Sequence, residues 1–344
     1  MKFGLVRRGY SGSGGAERYL LRFAEALREA GHEAVLFVSP EWPADAWKGD
    51  MVRIEGSGPR VFADSLARIK PKERCDRLFS LERVWECDAF RAGDGVHAAW
   101  LERRRAFEPK WKGWFRASQA KHREILELER AVFAPSGARL IIANSNLVAG
   151  EISRHFQVSE DRLRVIPNGL PLSCFGDPSF PASPAVLFAG SGWERKGLRF
   201  AIQAINRTAP PAPLLIAGTG KRRGLPASGR AQFLGEIAGL RDLMQACEVF
   251  VLPTIYDPFS NACLEAMAAG LPVITTRANG FSEIMRAGLD GEILGRPDDI
   301  AGMAAAIEKW RARETAGSRA ARVEYARQFT IARNVRETVE ALLK

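Results

Sequence analysis

Two acidic residues, Asp257 and Glu265, stand eight positions apart in the stretch VFVLPTIYDPFSNACLEAMAAGLPVITT, residues 249–276. The apolar residues before Asp257 predict a buried strand, and the residues around Glu265 predict a helix. Because ionised carboxylates only accept hydrogen bonds, the pair is suited to bind the hydroxyls of a sugar. An isolated acid pair is more often a solvated surface, but the position between a strand end and a helix start favours a binding site.

The start of that helix is a candidate anion site. Ser260 or Asn261 can act as its N-cap, and Gly270 with Pro272 would end it. The first backbone N–H groups of a helix have no partner inside the helix. Those of Ser260, Asn261 and Ala262 would therefore face a negatively charged ligand.

A pair of cations follows a glycine-rich turn in AVLFAGSGWERKG, residues 185–197. The apolar run predicts a strand that ends before Gly190, and Arg195 and Lys196 would lie at the start of the next helix. Arg offers a planar fork and Lys a point charge, so the pair is suited to clamp a diphosphate. A second such turn, at Gly218 in LLIAGTGKR, would open at the same edge of the sheet. A solvated basic turn is the alternative interpretation of the cations.

Another glycine-rich turn, GYSGSGGAER, stands near the start of the chain. Gly12 and Gly14 fit the first two glycines of the dinucleotide fingerprint G-x-G-x-x-G, but Glu17 occupies the third position. The second predicted strand, AVLFV, also ends at Ser39 rather than at an acid. The sequence therefore disfavours a dinucleotide site. A backbone anion site and a tight turn that binds nothing both remain open.

Short apolar runs alternate with helical segments along the chain, which is typical of parallel βαβ units. The runs are KFGLV, AVLFV, MVRI, RLFSL, CDAF and RLIIA in the first half and AVLFAG, PLLIAG, AQFLG, EVFVLP and PVITT in the second. A proline-rich stretch, PNGLPLSCFGDPSFPASPA, separates the two sets and is typical of a linker. The sequence predicts an α/β protein with two doubly wound domains, residues 1–168 and 169–325.

The composition is typical of a globular chain, and its net charge suits an anionic partner. The 344 residues are 46% hydrophobic and carry a formal net charge of +10, which suits nucleic acid, acidic lipid or a phosphorylated substrate. The five cysteines and four histidines are dispersed, so we expect neither a disulfide framework nor a metal site. No apolar run is long enough to predict a signal peptide or a membrane-spanning helix.

Residues 103–123 combine eight Lys or Arg residues with a single Glu. The aromatic residues Phe107, Trp111, Trp114 and Phe115 are interleaved with these cations. Such a stretch can dock on a membrane, since cations bind acidic headgroups and aromatic rings enter the interface. It could also track a phosphate chain or form an ordinary basic surface, but no nucleic-acid-binding module is present. We expect a surface for anionic membranes and no nucleic acid partner.

These motifs together resemble the retaining glycosyltransferases of family 4. The acid motif of that family matches DPFSNACLE, residues 257–265, and its Arg-Lys pair matches Arg195 and Lys196. Its glycine loop matches GGAER, residues 14–18, and its PNGL motif matches residues 167–170. The block GDGVHAAWLERR, the basic aromatic stretch and LERAVF are similar to the lipopolysaccharide core glucosyltransferase I group. The resemblance covers nearly the whole chain.

The resemblance implies the GT-B fold, in which two Rossmann-like domains face a central cleft, and a C-terminal helix, residues 326–344, that packs back on the N-terminal domain. It implies transfer of a hexose onto a lipopolysaccharide core or similar lipid-linked glycan, and the expected donor is UDP-glucose. The enzyme would work peripherally on the inner face of the bacterial cytoplasmic membrane. The nucleotide-sugar is a co-substrate, so the resemblance implies no cofactor and no metal.

The resemblance also implies roles for individual residues. Arg195 and Lys196 would bind the diphosphate and offset the charge of the leaving group, while Glu265 would hold the ribose hydroxyls. Asp257 would contact the transferred sugar, although most of the family carries the longer Glu at that position. The remaining expected donor-binding positions are Gly14, Gly15, Gly190, Gly218, Ser260, Asn261 and Ala262.

Asp94 and His97 match polar positions of the acceptor-side domain, so we expect them, with Asp257, to be catalytic. A lone histidine is more often structural, but His97 follows a Gly-Asp-Gly turn at a predicted strand end. The family is discussed as using front-face substitution, in which the leaving diphosphate takes the acceptor proton. The protein then supplies positioning and charge stabilisation.

Other functions are compatible with parts of the pattern. A related glycosyltransferase could use another nucleotide-sugar for a capsule or other glycan. A nucleotide-sugar epimerase or dehydrogenase would need the dinucleotide fingerprint that the sequence lacks. A non-catalytic nucleotide-binding protein of the same fold would have little need for the acids and cations that this chain has kept.

Overall fold

The structure is a computed structural model that describes residues 1–10, 15–56, 58–108, 120–176, 183–313 and 315–343. The chain divides into two compact units. Unit 1 comprises Met1–Pro167 and Ile331–Lys344, and unit 2 comprises Asn168–Thr330. The unit boundaries are thus 167/168 and 330/331. The sequence analysis placed the domain boundaries at 168/169 and 325/326.

Unit 1 is built on a seven-stranded sheet in the order β3-β2-β1-β4-β5-β6-β7, and all neighbouring strands are parallel. The strands are β1 (Lys2–Arg7), β2 (Glu33–Val38), β3 (Asp50–Arg53), β4 (Arg77–Ser80), β5 (Cys87–Arg91), β6 (Ala138–Ala143) and β7 (Leu163–Val165). The helices of its first segment are α1 (Gly15–Glu29), α2 (Pro59–Arg68), α3 (His97–Arg105), α4 (Ala120–Phe133) and α5 (Asn146–Phe156).

Unit 2 is built on a six-stranded parallel sheet in the order β10-β9-β8-β11-β12-β13. The strands are β8 (Val186–Ala189), β9 (Leu214–Ala217), β10 (Ala231–Gly235), β11 (Val249–Leu252), β12 (Val273–Thr276) and β13 (Gly291–Leu294). The helices are α6 (Leu198–Ile205), α7 (Leu240–Ala246), α8 (Asn261–Ala268), α9 (Ile300–Arg313) and α10 (Ala316–Ala326). A last helix, α11 (Ile331–Leu343), belongs to unit 1.

The central strands are buried on both faces, as a parallel sheet covered by helices requires. In unit 1, Leu5 and Val6 are consecutive on β1 and belong to two different apolar clusters, because successive side chains of a strand point to opposite faces. Phe23 of α1 lies in the cluster of Leu5, and Phe62 of α2 lies in the cluster of Val6. The prediction of two doubly wound α/β domains is confirmed.

Two strands were missed by the sequence analysis, β7 and β13. Each of the eleven predicted apolar runs corresponds to a strand of the structure. The strands β7 and β13 contain no continuous apolar run and were therefore not predicted. Both lie at the edge of their sheets and pair with one neighbour. An edge strand is covered less completely than a central one, and β7 accordingly exposes Arg164 and Val165. Because polar residues interrupt both strands, neither has the apolar pattern that predicts a buried strand.

The C-terminal region contains two helices, and the second, α11, begins at Ile331, where the sequence analysis placed its start at residue 326. Helix α10 packs on α8 in unit 2, whereas α11 packs on α1 in unit 1. The hydroxyl of Tyr19 on α1 donates to Asn334 Oδ1 on α11 at 2.6 Å. Asn334 Nδ2 in turn donates to the carbonyl of Pro167 at 2.6 Å, so α11 also binds the last residue of the first segment of unit 1.

Candidate functional site

The two central strands of unit 2 form a topological switch point. β8 and β11 are neighbours, but β8 is followed by β9 on one side and β11 by β12 on the other. Ligands of open α/β sheets bind at such a point, beyond the carboxyl ends of the strands. Lys196 follows β8, Asp257 follows β11, and Lys196 Nζ lies 3.4 Å from Asp257 Oδ2. The cation motif and the acid motif of the sequence therefore meet at this point.

The two motifs are joined through the backbone as well. The carbonyl of Arg195 accepts hydrogen bonds from Thr254 Oγ1 at 3.0 Å and from Ile255 N at 2.8 Å. The Arg195 guanidinium donates to the carbonyl of Tyr256 at 3.4 Å. Helix α6 begins at Leu198, after the cations, so Arg195 and Lys196 lie in the turn before the helix. The loop after β11 thus fixes the backbone of the cation pair.

Asp257 is held in place by the segment after β12. Its N–H donates to the carbonyl of Ala278 and its carbonyl accepts from Gly280 N, each at 2.9 Å. Only 5% of Asp257 is exposed, so its carboxylate is shielded from bulk water while it faces Lys196. A shielded acceptor binds hydroxyls more strongly than one in water.

Asn279 orders this loop, and the sequence analysis did not identify it. The residue is completely buried, and its Oδ1 accepts from Ser260 N at 3.2 Å and from Phe281 N at 3.1 Å. Its Nδ2 donates to Thr275 Oγ1 at 3.0 Å and to Cys263 Sγ at 3.4 Å. One amide therefore ties the start of α8 to the end of β12.

The start of α8 differs in one respect from the sequence analysis. Ser260 is the N-cap, and its Oγ accepts from Cys263 N at 3.3 Å. The prediction of a bare N–H at Ser260 is wrong, because that group donates to Asn279. Among the described residues, the N–H groups of Asn261 and Ala262 have no hydrogen-bond partner, as expected for the first turn of a helix. Glu265 is half-buried one turn farther along α8.

The glycine turns after β8 and β9 lie in direct contact. Gly190 N donates to Ala217 O at 3.0 Å, and Gly218 has a φ of +106°, which favours glycine. A Cβ on Gly218 would lie 2.6 Å from the carbonyl oxygen of Gly190, and one on Gly190 would lie 2.9 Å from the stem of Lys196. Both glycines therefore leave room for the backbone and for the cation at the switch point.

Unit 1 places Asp94 next to a partly buried arginine, Arg7, that the sequence analysis missed. Asp94 follows β5, and its Oδ2 accepts from Arg7 Nη1 at 2.8 Å. Arg7, at the end of β1, also donates to Glu17 Oε1 at 3.3 Å and lies 3.8 Å from Glu82. Burial alone would lower the pKa of Arg7, but the carboxylates of Asp94, Glu82 and Glu17 raise it above its ordinary value. Arg7 thus connects Asp94 to the first turn of α1.

His97 is the first residue of α3, and its backbone is fixed by a carboxylate from α4. Its N–H donates to Glu129 Oε1 at 2.7 Å, and Ala98 N donates to Glu129 Oε2 at 3.1 Å. Glu129 is completely buried and pairs with Arg83 at 2.8 Å. Because no side chain of its own caps α3, Glu129 supplies the missing acceptor.

The His97 ring is neutral at physiological pH. Burial, followed by the positive charge of Arg83, lowers the pKa of His97 to about 3. Its Nε2 lies 2.9 Å from Nδ1 of His122, a contact that the sequence did not suggest. The neutral ring of His97 can therefore donate a hydrogen bond to a hydroxyl or accept one from it, but it does not serve as a cationic acid.

Several predicted positions cannot be placed. Gly14 and the segment 109–119, which includes Trp111, Trp114 and Phe115, lie outside the described residues. Gly15 is the first residue of α1. Two cations of the basic stretch are engaged within unit 1, since Arg103 pairs with Glu151 at 2.9 Å and Arg104 pairs with Glu108 at 2.5 Å. None of the helices in the described ranges is long and apolar enough to cross a bilayer.

The described residues offer little for metal binding. Within them, no group of three or more His, Cys, Asp or Glu side chains is arranged to hold a metal ion. All five cysteines are free thiols. Burial raises the pKa of Cys263, beside the acid loop, to about 12, so this thiol is protonated and packs as a small apolar group.

Replacing Asn279 by Ala is expected to lower the free energy of unfolding by about 2 kcal/mol, since buried N–H groups would lose their acceptor. Urea denaturation followed by circular dichroism measures the change. Asn206→Ala, which removes an exposed amide, is the matched control and should have less than half the effect. Equal losses for the two variants would show that Asn279 does not order the loop.

Comparisons with known proteins agree with this geometry. Residues 13–173 match the family described as Glycosyltransferase Family 4, and residues 183–312 match Glycosyl transferases group 1. The lipopolysaccharide core biosynthesis glycosyltransferase LpsE of Rhizobium meliloti is 30% identical over 315 residues, which cover 86% of this chain and 85% of LpsE. The lipopolysaccharide glucosyltransferase WaaG of Escherichia coli K12 is 20% identical over 317 residues, 83% of this chain and 82% of WaaG.

Solved structures share the fold. A crystal structure of WaaG, a glycosyltransferase involved in lipopolysaccharide biosynthesis, matches with a TM-score of 0.77 at 18% identity, covering 95% of this chain and 94% of that one. Anabaena Alr3699/HepE in complex with UDP-glucose matches with a TM-score of 0.74 at 17% identity, covering 100% and 99%. Both likenesses concern the fold, which is GT-B. By its identity to LpsE over most of both chains and by the two family matches, this chain belongs to the group 1, family 4 glycosyltransferases and is a transferase of glycosyl groups.

Proposed function

We propose that this glycosyltransferase moves a hexose, glucose from UDP-glucose, with retention of configuration onto a lipopolysaccharide core or a similar lipid-linked glycan. The observation that carries the proposal is the contact of Lys196 with the shielded Asp257 at the switch point of unit 2. The names of LpsE and WaaG support the acceptor class, and the name of WaaG and the HepE complex support glucose and UDP-glucose.

In this proposal unit 2 binds the donor. Lys196 and Arg195 bind the diphosphate, together with the N–H groups of Asn261 and Ala262 at the positive end of α8. As the bond to the sugar breaks, negative charge grows on the diphosphate, and fixed cations stabilise it without reorganising. Glu265 accepts from the ribose hydroxyls.

Lys196 and Asp257 also share a second task. The ammonium lies 3.4 Å from one carboxylate oxygen and fixes the orientation of Asp257, so the carboxylate can accept from two hydroxyls of the transferred sugar. Asp is one methylene shorter than Glu, so Asp257 would hold the sugar closer to the backbone of its loop. The front-face route needs no enzymic nucleophile, and rate enhancement then comes from positioning and charge.

Unit 1 would bind the acceptor in this proposal. Asp94 keeps nearly half of its side chain exposed while Arg7 holds one of its oxygens. The neutral ring of His97 accepts or donates one hydrogen bond, according to its tautomer. Both groups suit a sugar hydroxyl, which can donate and accept.

A panel of nucleotide-sugars tests the donor assignment. We expect UDP-glucose to raise the melting temperature more than UDP-galactose, ADP-glucose or GDP-mannose does, because a ligand that binds only the folded state stabilises it. NMR of the product should then show an α-glucosyl linkage. A larger shift with ADP-glucose or GDP-mannose would reject the donor, and a β-linked product would reject retention.

The basic stretch 103–123 is proposed to hold the enzyme on the inner face of the cytoplasmic membrane. We expect cosedimentation with anionic vesicles of phosphatidylglycerol that weakens as salt is raised, since exposed charges are screened. Replacing the exposed cations Lys121 and Arg123 by Gln should weaken binding roughly 30-fold, at about 1 kcal/mol for each cation. Arg139→Gln, an exposed cation on β6, is the control. Equal binding to neutral vesicles would contradict a charge-based surface.

A further inference from the structure

The imidazole rings of His97 and His122, two of the four histidines in the chain, are in contact in unit 1. Nε2 of His97 is 2.9 Å from Nδ1 of His122, and the ring centroids are 5.0 Å apart. His97 opens α3, and His122 lies in the first turn of α4. We propose that His122 is a positioning residue that fixes the ring orientation and the tautomer of His97. The inference deepens the proposed function, because it rests on His97 binding a substrate hydroxyl.

Helix α4 fixes His97 at two points. His122 and Glu129 are seven residues apart on this helix, a spacing that places both on the same face. Glu129 accepts from the backbone of His97, while His122 bonds its ring. Arg83 balances the charge of Glu129, which is completely buried. A side chain bound at its backbone and at its ring has little freedom to rotate, which is the requirement for a preorganised site.

The charged groups around the pair keep both rings neutral. Arg83 and Arg104 face His97, Lys121 and Arg104 face His122, and Glu129 contacts the backbone of His97. Burial, followed by these cations, lowers the pKa of both imidazoles below the ordinary value. A charged ring would have to form among three cations, so the neutral pair is the stable state at pH 7.

A hydrogen bond between two neutral imidazoles contains one proton, and this couples their tautomers. If His97 Nε2 carries the proton, its outer Nδ1 is bare and His122 Nε2 is protonated. The bare Nδ1 then accepts a hydrogen bond from a substrate hydroxyl, whose proton passes to the leaving diphosphate. In the other arrangement His122 Nδ1 carries the shared proton, and His97 Nδ1 is protonated and donates. His122 therefore determines whether His97 accepts from the substrate or donates to it.

The spectrum of the free enzyme tests the inference without any substrate. With ¹⁵N-labelled histidine the protein gives four imidazoles, and His32→Gln and His155→Gln assign two of them by loss of signal. We expect the rings of His97 and His122 to stay neutral as pH falls through 6.5, each with one dominant tautomer. His122→Phe should convert His97 to a mixture of tautomers, whereas His122→Asn keeps a polar atom near the position of Nδ1 and should preserve one. Unchanged ¹⁵N shifts of His97 in His122→Phe would overturn the inference.

Turnover separates this inference from the proposed function. In transfer from UDP-glucose to a lipopolysaccharide core acceptor, measured as release of UDP, His122→Phe should lower kcat about fivefold, the effect of one lost orienting hydrogen bond, and leave KM unchanged. His122→Asn should recover at least half of the lost rate, and the control His155→Phe should match the wild type. Loss of the single tautomer without loss of kcat supports the positioning of the ring and rejects the role of His97 in the proposed function. If the wild type releases no UDP, the proposed function fails, and the ¹⁵N spectra still decide the inference.

Discussion

Replacing Lys196 by Gln is expected to lower kcat for UDP release from UDP-glucose by about 100- to 1000-fold, the usual effect of removing one group that stabilises transition-state charge. The ammonium of Lys196 lies 3.4 Å from Asp257, so it is fixed before the donor arrives. A cation that is already fixed adds its full stabilisation as the diphosphate leaves. Steady-state kinetics with UDP-glucose measures the loss.

A matched variant separates the site from general loss of charge. Lys221 is an exposed cation in the neighbouring glycine turn, after β9, and Lys221→Gln should keep kcat within about twofold, because exposed charges are screened. The pair Lys196→Gln with Asp257→Asn removes the buried charge that the single change leaves behind. We expect this double variant to regain stability but not kcat. Normal kcat in Lys196→Gln would remove the cation from the mechanism.

Replacing Glu129 by Ala is expected to lower the free energy of unfolding by about 3–5 kcal/mol, because removing one partner leaves a buried charge uncompensated. Arg83 would lose its carboxylate, and the first N–H groups of α3 would lose their acceptor. Urea denaturation of the full chain, followed by circular dichroism, measures the change.

Two further variants test the cause of that loss. Glu127 lies two residues earlier on α4 and forms an exposed pair with Arg60, so Glu127→Ala should cost less than about 1 kcal/mol. Replacing both Arg83 and Glu129 by Leu removes both buried charges and should recover part of the stability. A double variant less stable than Glu129→Ala would contradict an account based on the uncompensated charge of Arg83.

The elements of the fold that follow from local pattern were predicted from the sequence. β8 and β11 are buried on both faces, so they appear as short apolar runs, and Ser260 with Gly270 marked the ends of α8. The edge strands β7 and β13 were missed because water reaches part of their surface and polar residues are tolerated there. The family resemblance placed the start of the last helix at residue 326, whereas α11 begins at Ile331. The local pattern does not mark this boundary, because α10 and α11 are both charged helices.

The residues that touch substrate in the proposal were found from motifs, but those that position them were not. Arg7 bonds Asp94 across 87 residues, and Asn279 bonds Ser260 across 19. Neither contact can be predicted from the residues near it in the sequence, because the fold brings together segments that are far apart along the chain. His122 was included only as part of a basic stretch, and its position opposite His97 depends on the packing of α4 on α3.

The central claim is that unit 2 binds the nucleotide through Glu265 and the transferred sugar through Asp257. Calorimetric titration of UDP and of UDP-glucose into the wild type, Glu265→Gln and Asp257→Asn tests it most directly. We predict that Glu265→Gln weakens binding of both ligands about 10- to 100-fold, as loss of a hydrogen bond to a charged group does. Asp257→Asn should weaken only UDP-glucose, because UDP has no sugar at that position. Binding of both ligands by both variants with wild-type affinity would contradict the claim.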